Sequence, residues 1–348
     1  MNHLPILGIT MGDVSGIGPE IVVKALNRKK VYETCRPLVV GNSEVVKRAI
    51  KLLEMPLKVN SIENVEEAEF MHGTIDVFHR TDLDLEDVPY GKVNTLGGIA
   101  AFEAIEKVIE LAMEDKIDAT ITGPLNKEAL NKAGYHYNGH TEIYAELTGT
   151  KSYSMMLAHE NFRVVHVSTH VSLRKACDLV KKARVLEVIE IAQNACISLG
   201  IKNPRIAVAG LNPHSGEGGL FGEEEIHEII PAIEEAKVKG LNVDGPVPPD
   251  TVFSKAIGGQ YDIVVAMYHD QGHIPMKVVG FQMDQKTGNW KAVNGVNITL
   301  GLPIIRSSVD HGTAFDQAGK GTASEESMLN AIAYGIDLAK ARLEMKNS

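Results

Sequence analysis

The fold is decided by the stretch Pro5-Ile-Leu-Gly-Ile-Thr-Met-Gly-Asp-Val-Ser-Gly-Ile-Gly-Pro-Glu-Ile-Val-Val-Lys-Ala-Leu26. Residues 5–10 are a short apolar run containing β-branched side chains, which predicts a buried strand. Gly12 to Gly18 is a glycine-rich turn, and Pro19 opens a helix that carries Ile21, Val22, Ala25 and Leu26. Proline at a first helical position sacrifices no hydrogen bond. Further predicted strands lie at 37–40, 117–122, 154–158, 163–168, 205–210 and 262–267, and helices at about 98–114, 183–198, 223–239 and 325–343. On the helix near 98–114, Phe102, Ile105, Ile109 and Ala112 fall on one face. Alternation of this kind argues for an α/β fold with a mostly parallel sheet covered on both faces.

With 348 residues, 44% hydrophobic and 23% charged, the chain has the composition of a globular protein and length for two domains of roughly 150 residues. Its 45 acidic and 35 basic residues give a net charge of -10, which argues against nucleic acid as the main partner. Cys35, Cys177 and Cys196 are widely spaced, with no CxxC, and make neither a disulfide framework nor a cysteine zinc site. The N-terminus lacks signal-peptide regions and no run of about 18 apolar residues occurs. The expectation is a cytoplasmic protein with no membrane partner.

In open α/β sheets ligands gather beyond the carboxyl ends of the strands. Three predicted strand ends each deliver a histidine: Thr169-His170, Leu211-Asn-Pro-His214 and Tyr268-His269-Asp270-Gln-Gly272, the last read as a polar loop. One such histidine is ordinarily a packed or loop residue, but three in equivalent positions point to imidazole chemistry. A three-imidazole set suits zinc, manganese, cobalt or iron better than calcium. No HExxH links them. Arg306 closes the apolar run 297–305 and Lys277 follows the His269 segment. An arginine fork and a lysine point charge suit a phosphate or carboxylate, against the plainer reading of solvated surface charge. No strand is followed by GxGxxG and there is no P-loop, so neither a Rossmann fingerprint nor any nucleotide-contacting residue is located. Asp13 stands where a pyrophosphate would sit, and caps a helix as readily as it binds anything.

Together Gly12-Asp-Val-Ser-Gly-Ile-Gly-Pro-Glu20, Thr122-Gly-Pro-Leu-Asn-Lys127, Gly139-His-Thr-Glu142, Thr169-His170, Leu211-Asn-Pro-His-Ser-Gly-Glu217, Tyr268-His-Asp-Gln-Gly272, Gly295-Val-Asn-Ile-Thr-Leu-Gly-Leu-Pro303 and Val309-Asp-His-Gly-Thr-Ala314 resemble the 4-hydroxythreonine-4-phosphate dehydrogenase family. The blocks run in the family's order over nearly the whole chain. The resemblance implies a homodimer with a two-domain, mostly parallel α/β fold like that of isocitrate and isopropylmalate dehydrogenases, without a Rossmann fingerprint. It places one domain at 1–130 plus about 312–348 and a second at 131–311, the active site lying in the cleft and at the dimer interface. It implies NAD and a divalent metal (zinc, manganese, cobalt, magnesium or iron) held by His170, His214 and His269, one of them reaching into the partner subunit's site. Substrate contacts carry over to His140, Thr141, Lys277, Asn297 and Arg306, and catalytic acidic positions near the metal to Asp250 and Asp270.

Three departures bear on substrate. Val14-Ser15 stands where the vitamin B6 branch has Pro-Ala, His273 stands where an apolar residue is usual, and residues 282–294 form an insertion in which Lys286-Thr-Gly-Asn289 reads as a hairpin turn. The insertion is similar to the sister branch, the D-threonate or D-erythronate 4-phosphate dehydrogenases of four-carbon acid sugar breakdown, while His273 is a further departure and is not assigned to the metal. That branch implies oxidation of the C3 hydroxyl and decarboxylation to dihydroxyacetone phosphate and CO2. The alternative is 4-hydroxy-L-threonine 4-phosphate oxidation in pyridoxal phosphate biosynthesis. Remoter ones are a metal-dependent aldolase or hydrolase, a phosphate acyltransferase and a non-catalytic sugar-phosphate sensor. NAD against NADP, and the native metal, stay open.

Overall fold

A computed structural model describes residues 4–283, 290–293 and 295–347. The chain forms two compact units, Met1–Thr150 with Leu302–Ser348, and Lys151–Gly301. Numbered along the chain, the first unit contains strands β1 (Ile6–Thr10), β2 (Arg36–Gly41), β3 (Lys58–Ile62), β4 (Thr74–His79), β5 (Ala119–Thr122) and, after the second unit, β14 (Arg306–Val309). They run parallel in the order β3-β4-β2-β1-β5-β14. Register pairs Thr10 with Thr122 and Ser308 with Thr122, so β1, β5 and β14 end together. The stretch from Pro5 to Leu26 forms β1 and the helix Gly18–Leu26, with Pro19 in its first turn. Gly12 between them has φ +72, and a Cβ there would run into the Pro124 carbonyl, so only glycine lets the turn pass so close to the end of β5.

The helix Thr95–Met113 begins three residues before the expected position because the Asn94 side chain accepts a hydrogen bond from Gly97 N at 2.6 Å. Its face of Phe102, Ile105, Ile109 and Ala112 is buried as its spacing predicts, packed with Leu38, Val40 and Phe78. Each fully buried leucine or isoleucine of such a core contributes about 1.5–3 kcal/mol. Ile143, Tyr144 and Ile304 belong to this same cluster, and β14 pairs with β5. For that reason residues 131–150 and 302–311, expected in the second domain, lie in the first unit.

The second unit contains β6 (Ser154–His159), β7 (Phe162–His166), β8 (Ile206–Ala209), β9 (Val243–Val247), β10 (Ile263–Ala266) and β13 (Val296–Leu300), in the order β13-β6-β7-β10-β8-β9. β7, β10, β8 and β9 are parallel, whereas β6 is antiparallel to both β7 and β13. Only Glu160 and Asn161 separate β6 from β7, and a parallel crossover needs a dozen or more residues. The core packs Leu157, Phe162, Val164, Phe253, Val264 and Met276.

Two expectations in this unit change. The helix expected over 223–239 starts as a π-helical turn, Glu225–Ile229, before the α-helix Ile230–Val238. The segment after β10, read as a loop, is the start of the helix His269–Gly280. Gln271 ties its first turn to the sheet, accepting from Met267 N at 2.6 Å and donating to Gly210 O at 2.8 Å. Beyond it β11 (Phe281–Met283) and β12 (Trp290–Val293) pair antiparallel, while the proposed turn 286–289 lies outside the described residues. Among the described residues no helix is long and apolar enough to cross a membrane.

Candidate functional site

The three strand-end histidines follow β7, β8 and β10, which are neighbours in the sheet with β10 central and all parallel. His170 is exposed just beyond β7, and its ring centroid lies 5.7 Å from that of His269, tilted by 45°. Two imidazoles sharing a tetrahedral ion at about 2.0–2.1 Å per nitrogen would have centroids about 5 Å apart, so this pair fits a common cation after a small adjustment. His269 is oriented on two sides. Its Nδ1 lies 2.7 Å from Asp270 Oδ1, the arrangement by which a carboxylate fixes the tautomer of a metal-binding imidazole and leaves Nε2 free. Its face stacks on His273 at 3.6 Å with an interplanar angle of 10°.

His214 does not complete the set. It is exposed on the segment after β8, and among the described residues no group of three His, Cys, Asp or Glu side chains is disposed to hold a metal. One chain therefore presents two of the three imidazoles together. Asp270 is an orienting partner of His269 rather than an isolated acid, and Asp250 sits on an exposed turn before the helix Val252–Ile257. Lys277 lies on the His269–Gly280 helix, two four-residue steps from His269 through His273, and its charge helps to lower the His273 pKa. Burial is the largest cause and the neighbouring His269 the next, and they bring His273 to about 4. Behind it, burial followed by the neighbouring His273 brings His166 to about 3, and its Nε2 is buried without a hydrogen-bond partner. Asn297, in β13, donates Nδ2 to Met155 Sδ at 2.8 Å, and its Oδ1 is buried without a partner.

The remaining candidates belong to the first unit. His140 and Thr141 open the helix His140–Leu147, and Arg306 is the first residue of β14. Arg306 is 3% exposed, donates Nη2 to Thr122 Oγ1 at 3.0 Å, and lies 5.4 Å from the centre of the Tyr144 ring. Burial lowers its pKa to about 10 against the attraction of Tyr144 and Glu142, so it stays cationic at neutral pH. Burial, then the Arg306 charge, drive the His140 pKa well below 6.5, leaving a neutral ring whose Nε2 is buried with no partner. A buried guanidinium and an unpartnered imidazole nitrogen have the chemistry to bind oxyanions and hydroxyls.

Over residues 33–335 the chain matches the family described as pyridoxal phosphate biosynthetic protein PdxA. The chain belongs to this family. A D-threonate 4-phosphate dehydrogenase of Cupriavidus necator is 49% identical over 344 residues, 98% of this chain and 99% of that protein. The crystal structures of 4-hydroxythreonine-4-phosphate dehydrogenases from Klebsiella pneumoniae and Burkholderia phymatum give TM-scores of 0.85 and 0.83 at 44% and 46% identity, covering 96% and 97% of this chain and 99% of each of theirs. Membership makes the PdxA-family chain a dehydrogenase, an oxidoreductase acting on a hydroxyl group.

Sequence reasoning missed the residues that hold these side chains. Thr122 opens one quoted motif block and Tyr144 lies two residues beyond another, yet nothing in their spacing shows that both meet Arg306. Glu225, whose carboxylate accepts from Leu211 N and Asn212 N at 2.8 Å each, lies 11 positions after His214, and its one signal was a carboxylate inside an apolar helical pattern. Asp13 does not cap the first helix. Its Oδ1 accepts from Ser15 N at 2.9 Å, and the helix cap, Ile17, has no side-chain bond.

Proposed function

We propose that the protein is an NAD-dependent, divalent-metal-dependent dehydrogenase that oxidises the C3 hydroxyl of a 4-phosphorylated four-carbon acid, D-threonate or D-erythronate 4-phosphate, with loss of CO2 to give dihydroxyacetone phosphate. It acts as a homodimer in which a second copy supplies the third imidazole. The observation that carries the reading is the convergence of His170 and His269 with Asp270 behind the latter, since a redox-inert residue set of this kind has metal binding as its evident use. When bound, a divalent cation supplies Lewis acidity to a hydroxyl oxygen and NAD the hydride acceptor. His170, His214 and His269 hold the cation, and Asp270 keeps the His269 lone pair directed outward. Arg306 and Lys277 offset the charge of phosphate and carboxylate, while Thr141, Asn297 and the neutral His140 offer hydrogen bonds to the substrate's oxygens. Oxidation at C3 leaves a carbonyl β to the C1 carboxylate, an arrangement that loses CO2 readily.

The 49% identity to a D-threonate 4-phosphate dehydrogenase supports this substrate over 4-hydroxy-L-threonine 4-phosphate, the second reading, which the two crystal structures favour by name at 44% and 46% identity. The test is absorbance at 340 nm with D-threonate 4-phosphate, NAD and zinc, manganese or cobalt. We expect substrate-dependent growth that a chelator abolishes, with dihydroxyacetone phosphate as product. Full turnover after exhaustive chelation would remove the metal, and binding without turnover would make the protein a sensor.

A further inference from the structure

We propose that Glu225 is a positioning residue that sets His214 by clamping the left-handed segment carrying it. The proposal rests on the reading of His214 as a metal ligand. His214, Ser215, Gly216, Glu217 and Gly218 have φ of 53, 57, 80, 44 and 68°, five consecutive residues in a region that side chains avoid. Three of the five are not glycine, so the segment does not hold this shape by its own preference and something outside it must.

Glu225 is that group. It is 1% exposed, its Oε1 accepts from Leu211 N and Asn212 N at 2.8 Å each, and its Oε2 accepts from Asn212 Nδ2 at 2.9 Å. Glu224 Oε2 takes the same amide at 2.7 Å. The middle of the segment passes over the same carboxylate: a Cβ on Gly216 would stand 2.8 Å from Glu225 Oε2. Glu225 opens the π-helical turn Glu225–Ile229, an irregularity frequent at functional sites. The carboxylate thus fixes the chain two residues before His214 and packs against the chain two residues after it.

Glutamine has the same shape, but its one oxygen cannot serve both the backbone amides and Asn212, and its NH2 would face the Asn212 NH2. In Glu225→Gln we expect amide hydrogen exchange over residues 211–222 to quicken at least tenfold with β7 and β10 unchanged. Cobalt(II) affinity, read from the visible ligand-field spectrum, should weaken about 10- to 100-fold, the range for loss of an outer partner of a metal ligand. Asn212→Ala, which leaves both backbone amides on Glu225, should move both readouts the same way by less, and serves if Glu225→Gln does not fold. Unchanged exchange in both variants would overturn the clamp. Quickened exchange with wild-type cobalt affinity, while His214→Ala weakens binding, would reduce Glu225 to a structural role and overturn the proposal. If His214→Ala itself binds cobalt like wild type, the metal reading of His214 fails, and the exchange measurement alone decides the clamp.

Discussion

Single buried ionisable residues set the pH behaviour of this protein, and they pull in opposite directions. Asp13 is 1% exposed, its Oδ2 has no hydrogen-bond partner, and burial raises its pKa to about 6 despite the Ser15 amide. An acid raised in the folded state contributes full stability below its unfolded value and loses it as pH rises through the folded one, here from about 3.9 to about 6. Two units at about 1.36 kcal/mol each make ionised Asp13 cost about 3 kcal/mol at neutral pH. Asp13→Asn keeps the acceptor for Ser15 and removes the charge. Urea denaturation should show it more stable than wild type by about 2–3 kcal/mol at pH 7.5 and by only about 1 kcal/mol at pH 4.5; an equal gain at both would place the benefit elsewhere. His166, held neutral to about pH 3, has the reverse sign: its contribution is complete above the unfolded value of about 6.5 and falls by about 1.4 kcal/mol per pH unit below it. His140 adds to it, so wild type should melt at lower temperature at pH 4.5 than at 6.5. In the proposed function Arg306 meets the substrate phosphate. Arg306→Lys keeps a charge but loses the planar fork and the Thr122 contact, and kcat/KM for the phosphorylated acid should fall about 10- to 100-fold, that is about 1.5–3 kcal/mol. Unphosphorylated threonate should lose much less, and an equal loss for both would assign Arg306 to the carboxylate or the fold.

Among the elements, the helix His269–Gly280 and the left-handed segment before it in the chain both work against local preference. Gly272 sits inside the helix, where alanine would ordinarily gain up to about 1 kcal/mol. Here a Cβ would overlap His166 Nε2 and come within 2.7 Å of Val164 Cγ1, and overpacking costs about 1–3 kcal/mol. Sterics win, so Gly272→Ala should lower Tm; a raised Tm would show that the His166 ring gives way. In the left-handed segment His214, Ser215 and Glu217 store roughly 3–6 kcal/mol at about 1–2 kcal/mol each, of the order that three charged hydrogen bonds to Glu225 offset. These two elements also mark where the sequence stops being readable. β1, β8 and β10 were legible because apolar runs end abruptly in glycine or polar residues, and so were the histidines beyond them. The helix from His269 was not, because Gly272 and Pro275 read as loop, and its first turn is tied by Gln271 both to nearby Met267 and to Gly210, 61 positions away in sequence. Likewise Ile143, Tyr144 and Ile304 look equally apolar in either domain, and only packing against Phe102 and Ile105 assigns them to the first unit.

At the scale of the whole molecule the candidate residues divide, His140, Thr141 and Arg306 in the first unit and the three histidines, Lys277 and Asn297 in the second. His170 and His269 face each other within one chain and His214 does not join them. If His214 is the ligand that crosses to a second copy, mixing inactive His170→Ala and His214→Ala proteins should restore activity through hybrid dimers with one intact site. Mixing His170→Ala with His269→Ala should restore none, since both losses fall on one chain's share. Recovery only in the second mixture would reverse the assignment. The proposed substrate is a 4-phosphorylated hydroxy acid in place of its amino counterpart. Its most direct test is the ratio of kcat/KM for D-threonate 4-phosphate to that for 4-hydroxy-L-threonine 4-phosphate, measured as NADH formation with the same metal. A ratio above about 10, equivalent to about 1.4 kcal/mol, with one dihydroxyacetone phosphate and one CO2 per NADH, is the predicted result. Faster turnover of the amino substrate, or no substrate-dependent NADH from any 4-phosphorylated hydroxy acid, would contradict it.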